Sequence, residues 1–141
     1  MYAPDAWPTD EADQTETWSI SDFPNVGVVN GGQLDAYPVW QITGPAQGIS
    51  IFNTTTGQSW GWGGIVPAGQ TLLVDTRTSI QRFTYPVTLE GVQARNYLTS
   101  NSELWWLKRG ANGIVIAIGA LADANTRVQI SYRQRFRGGL R

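Results

Sequence analysis

The chain has 141 residues and a formal net charge of −1. That is the length of one domain with a single sizeable core, with no overall field to draw nucleic acid or an anionic membrane. It contains no cysteine and no histidine, which excludes disulfides, thiolate nucleophiles, imidazole-based triads and the usual transition-metal ligand sets. No cofactor is implied, and the longest apolar run, Ile114 to Ala122, is too short to insert across a bilayer.

The first stretch, residues 1–25, reads as an acidic arm or linker. Asp5, Asp10, Glu11, Asp13, Glu16 and Asp22 occur there without a base, Pro4 and Pro8 interrupt it, and strand alternation is not evident. Trp7 and Trp18 are unusual in such a segment, because each indole offers a large apolar surface that wants a partner. They mark it as a candidate assembly surface, docking on its own domain or on a neighbouring copy.

From residue 26 to 137 the rhythm changes. Sixteen glycines, seven prolines and a single lysine make a poor helix-forming mixture. Short β-branched and aromatic runs bounded by turn residues predict strands instead. The predicted strands are Val26–Val29, Tyr37–Thr43, Ile49–Asn53, Gln58–Trp62, Gln70–Asp75, Ser79–Phe83, Val87–Glu90, Glu103–Lys108, Gly113–Ala120 and Arg127–Phe136. Turns are predicted at Gly44-Pro45, Thr56-Gly57, Pro67-Ala68-Gly69 and Gly110-Ala111-Asn112-Gly113. In TRVQISYRQRF, Val128, Ile130, Tyr132 and Phe136 share one side, and Arg127, Gln129, Ser131, Arg133 and Arg135 the other. One face is therefore on a core and one in water. Ile114 to Ile118 is apolar on both sides and predicts a central strand covered on both faces. About ten strands around one core predict an all-β, two-sheet sandwich. Residues 138–141 are a short basic tail.

Several residues are candidates for function. Trp60 and Trp62 in QSWGWGG fall on one strand face, about 6–7 Å apart. Gly61 and Gly63 leave the other face bare for a close approach. Two co-facial indoles suit the CH face of a sugar ring, and they equally suit a core or an interface. Trp105 and Trp106 are neighbours and so point to opposite faces; one belongs to the core, the other to a surface, and Trp105 is carried as a contact candidate. Arg127, Arg133, Arg135 and Arg137 form a basic stripe that reads as a solvated face, or as an assembly surface for the acidic arm of another copy in a homo-oligomer. Asp35, Asp75, Glu90, Glu103 and Asp123 supply carboxylates, but no spacing pairs two of them for glycoside cleavage, and no nucleophile or phosphate-loop motif appears. No catalytic or metal residues are assigned. Asn53-Thr54-Thr55 matches a glycosylation sequon by chance.

Five motifs occur in order: Asn30-Gly31-Gly32, DAYPVWQITGPA (Asp35–Ala46), IFNTTTG (Ile51–Gly57), AGQTLLVDT (Ala68–Thr76) and LWWLKRGANGIVI (Leu104–Ile116). Together they resemble the C-terminal domain of siphophage-type distal tail proteins over roughly Val28 to Phe136. The resemblance implies a galectin-like, jelly-roll-type β-sandwich at the periphery of a phage tail tip. It implies a non-enzymatic adaptor role, docking other phage tail or receptor-binding proteins, with host-surface carbohydrate as a second partner in some relatives. It also implies a virion location after synthesis in the bacterial host cytoplasm. Family members carry an N-terminal ring-forming domain that this sequence does not contain, so the ring itself is not expected of it. The alternative functional reading is a carbohydrate-binding module built on Trp60 and Trp62; a glycan-cleaving enzyme comes third.

Overall fold

The structure is a computed structural model and describes residues 11–79, 87–100, 102–119 and 121–135. Among these, ten strands form two antiparallel sheets. They are β1 (Glu11–Ser19), β2 (Asn25–Asn30), β3 (Val39–Thr43), β4 (Ala46–Asn53), β5 (Gln58–Val66), β6 (Thr71–Asp75), β7 (Val87–Leu89), β8 (Val92–Gln93), β9 (Gly110–Ile118) and β10 (Arg127–Arg135). The larger sheet runs β1-β10-β3-β6-β7-β8 and the smaller β2-β9-β4-β5. Their inner faces share one core, with Trp40, Ile42, Leu72, Val74, Val128 and Ile130 on one side and Val28, Ile49, Ile51, Trp60, Ile114 and Ile116 on the other. The all-β sandwich expected from the strand rhythm is the observed fold.

Trp40 on β3 sits at the centre of that core. Its ring lies 5.4 Å from Trp105, 6.3 Å from Trp60 and 6.5 Å from Trp18. The first two contacts are edge-on, the geometry aromatic quadrupoles favour. One indole thus ties the large sheet, the small sheet, the edge strand β1 and the segment before β9 to each other.

The boundaries differ from expectation in instructive places. Residues Glu11–Ser19, expected to carry no strand, form β1 and pair along their whole length with β10. Alternation is masked there because two inward positions, Gln14 and Glu16, are polar and half-buried, and only Trp18 is apolar. Glu103–Lys108, expected as a strand, is instead an extended crossing segment, touching β5 through Glu103 N–H to Ser59 O at 2.8 Å and meeting Ala36 at a single bridge from Leu107. Gly110 to Gly113, expected as a turn, already belongs to β9. Ser79 closes a short 3-10 turn over Thr76–Ser79, and the rest of the strand expected at Ser79–Phe83 lies outside the described residues.

β9 is central in its sheet, but its outer face is not covered as expected: Val115 is half-buried and Ala117 exposed. An apolar residue type reports what a face tolerates, not what lies on it. On β10 the expected alternation holds, with Val128, Ile130 and Tyr132 inside and Arg127 and Arg133 outside.

Tyr132 lies at the rim of the core, where its hydroxyl donates to Val29 O at 3.0 Å. Burial, and secondarily the negative charge of Glu16, push its phenol above the ordinary value of 10.0. A phenol raised by folding stabilises the fold below the unfolded value and loses that contribution as pH climbs through the raised one. Tyr132→Phe is therefore expected to flatten the fall in stability as pH rises above the ordinary phenol value, relative to wild type, in urea unfolding series. Trp40→Ala is expected to cost about 3–5 kcal/mol, read as a lower urea midpoint with unchanged slope.

Candidate functional site

The candidate tryptophans are inside the protein. Trp60, Trp62 and Trp105 are each 1% exposed. Trp60 and Trp62 do share a face of β5, but it is the inner one, so the sugar platform expected of them does not face solvent. Trp62 Nε1 donates to Ala94 O at 2.8 Å and Trp105 Nε1 to Ile51 O at 3.3 Å. Of the adjacent pair, Trp106 is the surface indole, at 39% exposure. The contact assignment therefore moves from Trp105 to its neighbour. Adjacency predicted one inside and one outside; only packing decided which.

The bare face of QSWGWGG is used by the chain itself. A Cβ at Gly61 would meet Thr99 at 3.1 Å, because the segment following β8 crosses the β5 edge there. Thr99 N–H donates to Gly61 O at 2.9 Å, Gly61 N–H donates to Ser102 Oγ at 2.8 Å, and Leu98 bridges Trp62. At Gly64 the obstruction is on the inner side, where a Cβ would lie 2.6 Å from the Trp62 ring. The indole folds over its own strand, and glycine is what makes room.

Beyond that crossing a cleft of about 450 Å³ opens between the end of β5 and β8. Trp62, Gly63, Gly64 and Ile65 form one wall, and Leu89, Val92, Gln93, Ala94, Asn96 and Tyr97 form the other, with Gln47 at one end. Tyr97 stands edge-on to Trp62 at 5.7 Å. Ile65, Val92 and Tyr97 are 50%, 70% and 59% exposed. None of the described residues that line the cleft is charged. The sequence marked one wall, in QSWGWGG, but not the cleft, because the other wall comes from a separated segment, Leu89 to Tyr97, with no pattern of its own.

The asparagines of the ordered motifs turn out to be internal clamps. Asn112, buried on β9, accepts from Lys108 N–H at 3.0 Å and donates to Lys108 O at 2.8 Å, Gly110 O at 3.0 Å and Val28 O at 3.4 Å. It also receives Asn53 Nδ2 at 3.2 Å. Asn53 holds its own hairpin by accepting from Thr55 and Thr56 N–H at 2.9 and 3.2 Å. Asn30 donates to Leu34 O at 3.0 Å and accepts from Gly32 N–H at 3.0 Å. Asn53 is 0% exposed, with its amide fully engaged, so the sequon at that position is not accessible in the fold.

Arg127, Asp75, Glu90 and Asp123 have internal partners. Arg127 donates to Ala124 O and Thr126 O at 2.6 and 2.9 Å. The β1–β10 register sets Asp13 opposite Arg133 and Glu11 opposite Arg135. The acidic stretch and the arginine stripe therefore lie on adjacent strands of one chain. Trp18, the other assembly candidate, packs on Trp40, while Trp7 and Arg137 lie outside the described residues. Among the carboxylates, Asp75 accepts from Arg77 N–H at 2.9 Å and forms a two-pronged pair with its guanidinium, which lifts the Arg77 pKa above its ordinary value despite partial burial. Glu90 accepts from Thr71 N–H at 2.8 Å and Asp123 from Asn125 N–H at 2.7 Å. These acids close turns. Among the described residues no group of His, Cys, Asp and Glu is placed to hold a metal ion, and no helix is long and apolar enough to cross a membrane.

A two-sheet sandwich whose signature polar residues clamp its own hairpins, and whose acids are held in turns, has the character of a structural protein. The chain belongs to the family of siphovirus-type tail components, C-terminal domain, whose model matches residues 31–136. A tail component is part of the virion. No curated protein and no solved structure matches the chain. Asn112→Ala is expected to lower stability by more than about 2 kcal/mol, because it strands several buried backbone groups at once; Lys108→Ala, on the exposed side of the same turn, is expected to change it by less than about 0.5 kcal/mol. Chemical unfolding of both variants checks the contrast.

Proposed function

We propose that this chain is a non-enzymatic adaptor module of a phage tail tip, presenting a rigid sandwich on which neighbouring tail or receptor-binding proteins dock. The observation that carries the reading is the family match over residues 31–136. The clamps at Asn30, Asn53 and Asn112 support it, because they stiffen the loops at one end of the sandwich and leave no reactive group there. A rigid, preformed surface loses little entropy when a partner docks. On this reading the protein is made in the bacterial host cytoplasm and incorporated into virions through protein contacts.

A host-glycan role built on Trp60 and Trp62 draws no support from their position, since both rings are spent in the core. Two measurements test the proposal. In gradient-purified virions the chain is expected at the tail tip by immunogold labelling, cross-linked to other tail proteins; its absence from virions overturns the reading. Titration with a broad panel of neutral oligosaccharides is expected to leave the emission of the buried indoles unchanged, and a saturable response abolished by Trp62→Phe would restore the glycan reading.

A further inference from the structure

The two sheets have four edges, and unpaired edges are sites for another strand unless something guards them. β1 carries Glu11, Asp13 and Glu16. β8 is only two residues long. On β2, Val29 O is taken by the Tyr132 hydroxyl. On β5, the chain covers the first half of the edge with its own extended segment, bonding Ser59 O, Gly61 O and Gly61 N–H.

The hydrogen-bonded part of that cover ends with Leu98, opposite Trp62, and Tyr97 O then passes 3.7 Å from where a Gly63 Cβ would lie, without bonding Gly63. The β4–β5 register shifts at Gly63 and Gly64, opposite Gly48, and among the described residues no hydrogen bond outside the β4–β5 ladder is made to Gly63. Neither Gly63 nor Gly64 has a side chain to obstruct an approaching backbone. No charge guards Gly63 to Val66, and the neutral apolar cleft of Trp62, Ile65, Val92 and Tyr97 opens beside it.

We propose that the Gly63–Val66 edge of β5 receives an uncharged extended segment of a neighbouring tail protein by strand addition, with one apolar side chain of that segment seated in the cleft. The segment continues, past Leu98, the pairing that the protein's own residues 98–103 begin on the same edge. Backbone hydrogen bonds supply affinity, and the cleft selects the side chain. The described lining, all of it uncharged, offers no counter-charge to a phosphate, a carboxylate or a basic peptide. A saccharide would use the Tyr97 ring and the nearby amides but would leave the extended row of backbone groups at Gly63 unused. The inference rests on the docking role proposed above and assigns that role a surface.

The test uses the full-length protein, labelled with nitrogen-15, and a short end-blocked peptide alternating threonine and valine around a central tyrosine. Its saturable binding, with a dissociation constant at or below about 1 mM, is expected to move the Gly63 and Ile65 amide resonances. The same peptide N-methylated at alternate residues is expected to leave them in place. Ile65→Lys and Val92→Lys, both at exposed positions, are expected to weaken binding at least about tenfold while the rest of the spectrum stays native. Three results overturn the proposal: no movement at Gly63 up to millimolar peptide, equal movement with the N-methylated peptide, or movement with neutral oligosaccharides in place of the peptide. A chain missing from virions would remove the tail-tip role yet leave these peptide shifts as they are, so the two failures are separable.

Discussion

The contact on which this sandwich most depends is the packing of Trp40 against three other indoles. Two sheets stacked face to face have no covalent tie in a protein without cysteine, so their registration rests on shape and area alone. A single large ring from β3 that meets Trp60 of the opposite sheet, Trp18 of the edge strand and Trp105 of the crossing segment fixes all four pieces at once. The arrangement carries a cost: the indole N–H groups of Trp40 and Trp60 are buried without a hydrogen-bond partner among the described residues. Buried polar hydrogens of that kind are disfavoured by roughly 1–3 kcal/mol each, so the apolar burial and edge-on ring contacts must outweigh them.

Around that centre the polar residues perform a second kind of fastening. Asn112 joins β9, the turn before it and β2, and through Asn53 it reaches the β4–β5 hairpin. Such residues look like a binding signature in a sequence, because they are polar, regularly placed and set beside glycine. Here they satisfy backbone groups that hairpin ends would otherwise leave unpaired inside the protein. A structural family can thus carry motifs as sharp as those of an enzyme.

The electrostatics follow the same inward logic. The acidic stretch and the arginine stripe, separated by more than a hundred positions in the chain, are brought into register on adjacent strands. Charged residues along an edge strand such as β1 discourage another strand from pairing with it. By contrast, the run Gly63–Val66 of β5 and the described lining of the cleft beside it carry no charge.

Strand content, the sandwich and the family were legible in residue order, because alternation and turn chemistry are local properties that side-chain type reports directly. The alternation of Val128, Ile130 and Tyr132 against the arginines named the inner face of β10 correctly, and tryptophan adjacency required one of Trp105 and Trp106 to be inside. Which one it was, and that Trp60 and Trp62 face inward rather than outward, depended on how the sheets stack. A strand has two equivalent sides until a second layer covers one of them. The strand at Glu11–Ser19 escaped notice because polar residues occupy two of its inward positions, and its pairing with β10 is a long-range event no local pattern encodes. The cleft at Gly63 exists only where β5, β8 and the turn carrying Tyr97 converge, and such convergence is a property of tertiary structure alone.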